Sequence, residues 1–171
     1  MADPRAPGDP SPLSVEEEAA WRALARAVLV IPRVVDADLT QAYGISGTEY
    51  TILMYLSEAP ETSLRMSQLA NYVSISVSGL TRAVGRLERE GLVKRVRCSE
   101  DGRGQVAVIT PAGMTCLRDA WPAHLRSVRE HVMDHLQDID LVAFAAAMRA
   151  VAWPEIGPPL RSGVRSRGDE P

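Results

Sequence analysis

Apolar residues recur along this chain at helical spacing in six stretches and at strand spacing in one short region between the fourth and the fifth. Ser14 opens the first stretch, and Glu17, three residues on, completes a capping box, with Glu16 to Glu18 suited to the positive end of a helix. Leu24, Val28, Ile31, Val35 and Leu39 form the apolar stripe, which predicts a helix over 14–43, kinked or interrupted at Pro32 and closed near Tyr43-Gly44. Thr48 is the expected cap of a second helix burying Tyr50, Leu53, Met54 and Leu56, ended by Ala59-Pro60-Glu61. Met66, Leu69, Ala70 and Val73 predict a short third helix capped by Ser67. After Val73-Ser74-Ile75, Ser76 caps a fourth, whose Leu80, Val84 and Leu87 face inward and which Gly91 terminates.

The period then changes. From Leu92 to Cys98 residues alternate, placing Arg95 and Arg97 on one face and Val96 and Cys98 on the other, and 105–109 is rich in β-branched residues. Ser99-Glu100-Asp101-Gly102-Arg103-Gly104 between them has the composition of a hairpin tip, with Arg103 held between two glycines. Thr110 followed by Pro111 starts a fifth helix, in which Met114, Leu117, Trp121, Leu125, Val128, Val132 and Leu136 recur over some seven turns, with a bend at Pro122. Asp138 or Asp140 caps a sixth, carrying Leu141, Phe144, Ala145, Met148 and Val151 and ended by Trp153-Pro154. The fold class is mainly α with a small β wing: a winged helix-turn-helix over 48–110 between long terminal helices over 14–43 and 111–153, in one domain over 13–153. Residues 1–12, with four prolines, and 154–171, rich in Pro, Gly, Ser and Arg, are expected to be a disordered arm and tail.

The outward side of the fourth helix carries Ser78, Thr81, Arg82, Gly85, Arg86 and Arg89, and the hairpin adds Arg95, Arg97 and Arg103. A basic helix beside a basic hairpin suits double-stranded DNA. Tyr43-Gly44-Ile45-Ser46, the run Leu64 to Ala70, Ser78-Gly79-Leu80-Thr81-Arg82, Arg86-Leu87-Glu88, Glu90-Gly91-Leu92-Val93 and the tip Asp101-Gly102-Arg103-Gly104 together resemble the MarR family of bacterial transcription regulators. The resemblance runs from about Ser14 to Val151. It implies a homodimer in which the first, fifth and sixth helices interlock, with the helix from Ser76 in the major groove and the wing at the adjacent minor groove of a pseudo-palindromic operator. It implies DNA contacts from Ser76, Val77, Ser78, Thr81, Arg82, Arg86, Arg95, Arg97 and Arg103, with Asp101 orienting Arg103. Val77 stands where the family often has a basic residue, and offers instead an apolar contact of the kind that meets a thymine methyl.

Composition sharpens this picture. The net charge is −3, yet residues 65–110 hold eight basic and four acidic side chains, a balance of +4 that leaves −7 on the remainder. The basic patch is thus confined to the expected DNA-facing module. At 171 residues and 46% hydrophobic the chain is long enough for a core without metal or disulfide staples, and Cys98 and Cys116 make no disulfide framework. No stretch has the apolar length of a membrane span and the N-terminus lacks a signal-peptide pattern, so a cytoplasmic protein is expected.

No GxGxxG, P-loop, GxSxG or HExxH motif is present, and neither an enzyme nor a cofactor is expected. The resemblance implies a repressor of nearby genes released by a small, aromatic or phenolic effector, with Trp21, Tyr50, Met54, Tyr55 and Trp121 as candidates to line its site. Two alternatives keep the same fold. One is a sensor of redox state through Cys98, beside Arg95 and Arg97, or of metal through His124, His131 and His135, which the pattern puts on one helix face. The other is a winged-helix module for protein contacts alone, which so many exposed arginines argue against.

Overall fold

The structure, a computed structural model, describes residues 11–97 and 104–152. The expected tail, most of the arm, and Cys98, Asp101 and Arg103 of the hairpin lie outside the described residues. In chain order the elements are α1 (Val15–Tyr43), α2 (Gly47–Glu58), β1 (Ser63–Arg65), α3 (Met66–Val73), α4 (Val77–Arg89), β2 (Val93–Arg97), β3 (Gln105–Ile109), α5 (Pro111–His131) and α6 (Leu141–Ala152). The strands form one antiparallel sheet in the order β1-β3-β2, with Leu64 opposite Ala107 and Arg95 opposite Ala107 from the other side.

The helix starts follow from capping chemistry. Ser14 and Glu17 make the expected capping box, Glu17 Oε2 accepting from Ser14 N at 2.7 Å, and Gly44 closes α1 at φ +70°. Pro32 neither breaks nor ends α1, which runs unbroken through it, and Pro122 likewise lies inside a continuous α5. The cap of α2 is Ser46 rather than Thr48. Ser46 is extended, its hydroxyl accepts from Glu49 N at 3.2 Å, and the Glu49 carboxylate reaches back to Ser46 N at 2.9 Å, so the helix starts before Thr48 is reached. Ser67 does not cap α3 either. The strand β1 leads straight into Met66, with Arg65 at the cap position and no side-chain capping bond.

The main core lies between α2, α3, α4 and the sheet. Ile52, Leu53, Leu56, Leu69, Leu80, Val84 and Leu87 have no exposed surface, and Val93, Ala107 and Ile109 close it from the strands. Fully burying a side chain of this size contributes about 1.5–3 kcal/mol, and α2, which meets α1, α3, α4, α5, β1 and β3, is the element the others pack around. Thr110 joins the winged module to α5: its hydroxyl donates to Gly91 O at 2.7 Å while accepting from Gly113 N at 3.1 Å. Gly113 must stay small, because a β-carbon there would stand 2.2 Å from Leu92 O. The helix α5 stops at His131, a turn short of the apolar pattern, where Val132 leaves helical geometry at φ −136° and a single 3-10 turn, Met133–His135, follows. His135 therefore does not share a helix with His124 and His131. Asp140 starts α6, its carboxylate accepting from Val142 N and Ala143 N.

A smaller cluster of Leu39, Ile45, Tyr50 and Ala120 ties α1, α2 and α5 together. The Tyr50 ring is stacked on His124 with centroids 4.3 Å apart, and Trp121 leans on His124 at 5.9 Å. Burial pushes the His124 imidazole below the usual histidine range, so the folded state holds it neutral. A depressed folded pKa means that the unfolded chain takes up a proton first as the pH drops. The associated stability is complete above the unfolded value of about 6.5 and is lost as pH falls through the folded value. We expect the melting temperature to fall more between pH 7.5 and pH 5 in the native chain than in His124→Phe, which keeps the stacked ring but cannot titrate. Equal pH dependence of the two melting curves would refute this.

Candidate nucleic-acid interface

The helix α4 is held by one face and open on the other. Leu80, Ala83, Val84 and Leu87 enter the core, while Ser76, Val77, Ser78, Thr81, Arg82, Arg86 and Arg89 are exposed. Ser76 caps it as expected, accepting from Gly79 N at 3.1 Å, and its hydroxyl lies 3.1 Å from that of Ser78. Thr81 donates its hydroxyl proton to Val77 O at 2.8 Å, which leaves its oxygen free only as an acceptor. Val77, at the first helical position, is 57% exposed. Arg82 has no side-chain partner among the described residues and stands one turn nearer the helix start than Arg86.

The arginines that look alike in the sequence differ once folded. Arg86 donates from Nε to Glu49 Oε1 at 2.7 Å, and the glutamate is buried on α2 with a side chain only 8% exposed. Burial alone would raise the Glu49 pKa, but hydrogen bonds from the Ser46 amide and hydroxyl and from the Arg86 guanidinium outweigh it and hold the carboxyl below its ordinary value. Arg95 is half-buried, and Glu88 of α4 accepts from both its backbone N at 3.2 Å and its Nε at 2.9 Å. Those two hydrogen bonds, side chain first, also hold Glu88 below the usual carboxylate range. Arg97 and Lys94 are exposed on opposite faces of β2. Val96, on the face opposite Arg95, is 45% exposed, and the more sheltered positions of β2 are Val93 and Arg95.

Glu49 and Asp36 are not among the residues the sequence pattern singles out, and Glu88 enters there only within the run Arg86-Leu87-Glu88, without a role. The signal for Glu49 was its position three residues after Ser46, the capping-box spacing, which the neighbouring Thr48 obscures. Asp36 of α1 accepts from Gly47 N at 2.8 Å, so the start of α2 is fixed to α1. Between this corner and the outer face of α4 lies an open cleft of about 750 Å³, with Arg82, Arg86 and Arg89 on one wall and Asp36, Ser46 and Thr48 on the other.

A second cavity, of about 580 Å³, lies between α1, α2 and α5. Ile31, Val35, Val73 and Val128 make its apolar walls, and Arg33, Asp36, Thr51 and His124 supply polar groups. None of the five candidate effector residues is on that lining. Tyr50 and Trp121 reach it only through His124, Tyr55 pairs with Tyr72 at 5.6 Å in the main core, Met54 is half-buried, and Trp21 is 60% exposed near the start of α1. The Tyr50 hydroxyl and His124 Nδ1 are buried without a hydrogen-bond partner among the described residues.

The sensing residues separate in the same way. His131 pairs with Asp38 of α1 at 3.2 Å, and no group of three or more His, Cys, Asp or Glu among the described residues is arranged to hold a metal ion. Burial, followed by the charges of Glu90 and Asp119, raises the Cys116 thiol pKa, the reverse of what a reactive thiolate requires. Among the described residues no helix is long and apolar enough to cross a membrane.

Comparison with known proteins agrees with this architecture. A family model described as MarR family matches residues 43–104, from the end of α1 to the hairpin. The regulator PapX of Escherichia coli is 32% identical over 73 residues, 43% of this chain, a match that spans 44% of PapX itself. Two solved structures from Streptomyces coelicolor match over far more. The MarR family regulator AbsC is 34% identical with a TM-score of 0.74, over 83% of this chain and 95% of its own. Sco3205, solved in complex with DNA, is 36% identical with a TM-score of 0.78, over 86% of this chain and 92% of its own. Because that likeness takes in the terminal helices as well as the helix-turn-helix and the wing, the chain belongs to the MarR family of DNA-binding transcriptional regulators, which are not enzymes.

Proposed function

We propose that the chain acts as a homodimer that binds a pseudo-palindromic DNA duplex through the outer face of α4 and the wing, represses nearby genes, and is released by a small aromatic or phenolic effector. The observation that carries the DNA reading is Arg82: an exposed guanidinium without a partner among the described residues, one turn into a helix whose other face is locked in the core. Ser76, Val77, Ser78 and Thr81 surround the same helix start and are the side chains placed to meet base edges. Arg97, with Arg103 beyond the described residues, extends the basic surface toward the wing, where Asp101 is assigned the orienting role. Arg95 contributes by fixing the wing to α4, not as a free cation.

Two copies are proposed because one copy leaves too much apolar surface wet. Every residue of α6 except Arg149 is apolar, yet none is buried, with Val142 79%, Val151 67% and Leu141 50% exposed. A lone helix of this length is marginal in water. Val28, Leu29 and Leu125 extend the uncovered surface along α1 and α5. The effector is assigned to the 580 Å³ cavity, whose size and mixed lining suit a small organic ligand and whose walls come from α1, α2 and α5 with Val73 of α3.

Arg82→Ala is expected to cost about 1–3 kcal/mol on a duplex selected from a random pool while changing binding to unselected duplex far less. Fluorescence anisotropy at one fixed salt concentration measures both, and an unchanged ratio of the two affinities would remove Arg82 from base recognition. Replacing Leu125 and Val128 together with Asp should abolish association and DNA binding together. A variant that sediments as a folded monomer and still binds the selected duplex as tightly as the native chain would defeat the dimer reading. Thr51→Phe, which narrows the cavity, should leave DNA binding intact but weaken release by an effector identified from a panel of aromatic acids and phenols; full release of this variant would place the effector elsewhere.

A further inference from the structure

Glu49 lies at a junction of three helices, and both of its carboxylate oxygens are engaged. One oxygen takes the Ser46 amide at 2.9 Å and the Ser46 hydroxyl at 2.7 Å, and the other takes Arg86 Nε at 2.7 Å. The glutamate is buried, whereas the Arg86 side chain is 53% exposed and forms part of the wall of the cleft beside α4. An arginine held by Nε to a fixed carboxylate loses most of its side-chain freedom and presents its two terminal nitrogens in one direction. The corner itself is immobilised from α1 through the Asp36 carboxylate on Gly47 N.

We propose that Glu49 is a positioning residue for DNA binding, holding the Arg86 guanidinium ready for a backbone phosphate. The inference rests on the outer face of α4 meeting DNA. The phosphate contact is made by the terminal nitrogens, so the ordering cost of the arginine is met when the protein folds rather than when DNA binds. A purely Coulombic view gives the opposite sign. By that view Glu49 is a negative charge near a polyanion, and removing it tightens binding.

The test uses the full chain with the selected duplex, across a salt series. Glu49→Gln keeps an oxygen for the Ser46 amide and hence the cap of α2, while removing the ionic grip on Arg86. We expect a cooperative melt at a somewhat lower temperature, because the fold stabilises the charged carboxylate, and, measured well below that melt, binding weakened about three- to tenfold, the range of one net hydrogen bond, with the salt dependence unchanged because the cation remains. Arg86→Ala should weaken binding and lower the salt slope by about one. Adding Glu49→Gln to Arg86→Ala should then change nothing further, a non-additivity that a merely structural role for Glu49 does not produce. Arg86→Lys, which keeps the charge but lacks the fork that serves both partners, should behave like Glu49→Gln.

An Arg86→Ala variant with native affinity and native salt slope overturns the DNA-facing reading at this position. A damaging Arg86→Ala combined with a Glu49→Gln that binds as tightly as the native chain, or more tightly, overturns the positioning role alone. Equal losses from Glu49→Gln with and without Arg86 do the same.

Discussion

A carboxylate taken out of water must be given hydrogen-bond partners, and in this protein the requirement falls on Glu49. Its partners come from two places: the amide and hydroxyl that start its own helix, and a guanidinium on α4. Once these bonds are in place α2 cannot slide or rotate against α4 without stranding a buried charge. The apolar core of Ile52, Leu53, Leu56, Leu80, Val84 and Leu87 is non-directional and sets how closely the helices pack. The polar junction at its edge sets their register.

The same corner borders both cavities. Asp36 and Thr48 line the cleft beside α4 as well as the second cavity, and Gly47, whose amide Asp36 holds, lines the second. Anything that moves α1 against α2 must stretch the Asp36 to Gly47 bond or carry the start of α2 with it. That point is joined to Arg86 by the first turn of α2 and one ion pair. This is a short, directional route between a space of ligand size and the basic face, and it contains no flexible loop.

Most of the fold was legible because its signals are local. Ser14, Ser76, Thr110 and Asp140 are capping residues whose effect extends three positions, and the stripe Leu80, Val84, Leu87 follows from helical geometry alone. The failures have equally specific causes. Thr48 and Ser46 are both acceptable caps two residues apart, and only the reach of Glu49 back to Ser46 decides between them. The strand β1 is three residues long, too short for any alternation, and exists because Leu64 pairs with Ala107 of β3, more than forty positions away. The apolar pattern of α5 continues to Leu136, but the backbone departs at Val132, and side-chain spacing carries no record of that. The basic face was legible as a count of arginines but not as a surface. Which arginine is unpaired and which is held by Glu49 or Glu88 depends on acids brought close only by folding.

The bonds between Arg95 and Glu88 have a mechanical meaning beyond their charge. With Leu92 N on Leu87 O at 2.8 Å and Thr110 bracing Gly91, they join α4 and the strands of the wing into one stiff piece with a fixed span between helix and hairpin. On the DNA-binding reading proposed above, such a stiff piece cannot close on a duplex whose grooves are spaced differently, so a duplex that met both jaws would supply the adjustment in its own twist and groove width. That adjustment is easier at pyrimidine–purine steps than in stiff tracts. Base pairs between the jaws, touched by no side chain, are then selected for how readily they deform.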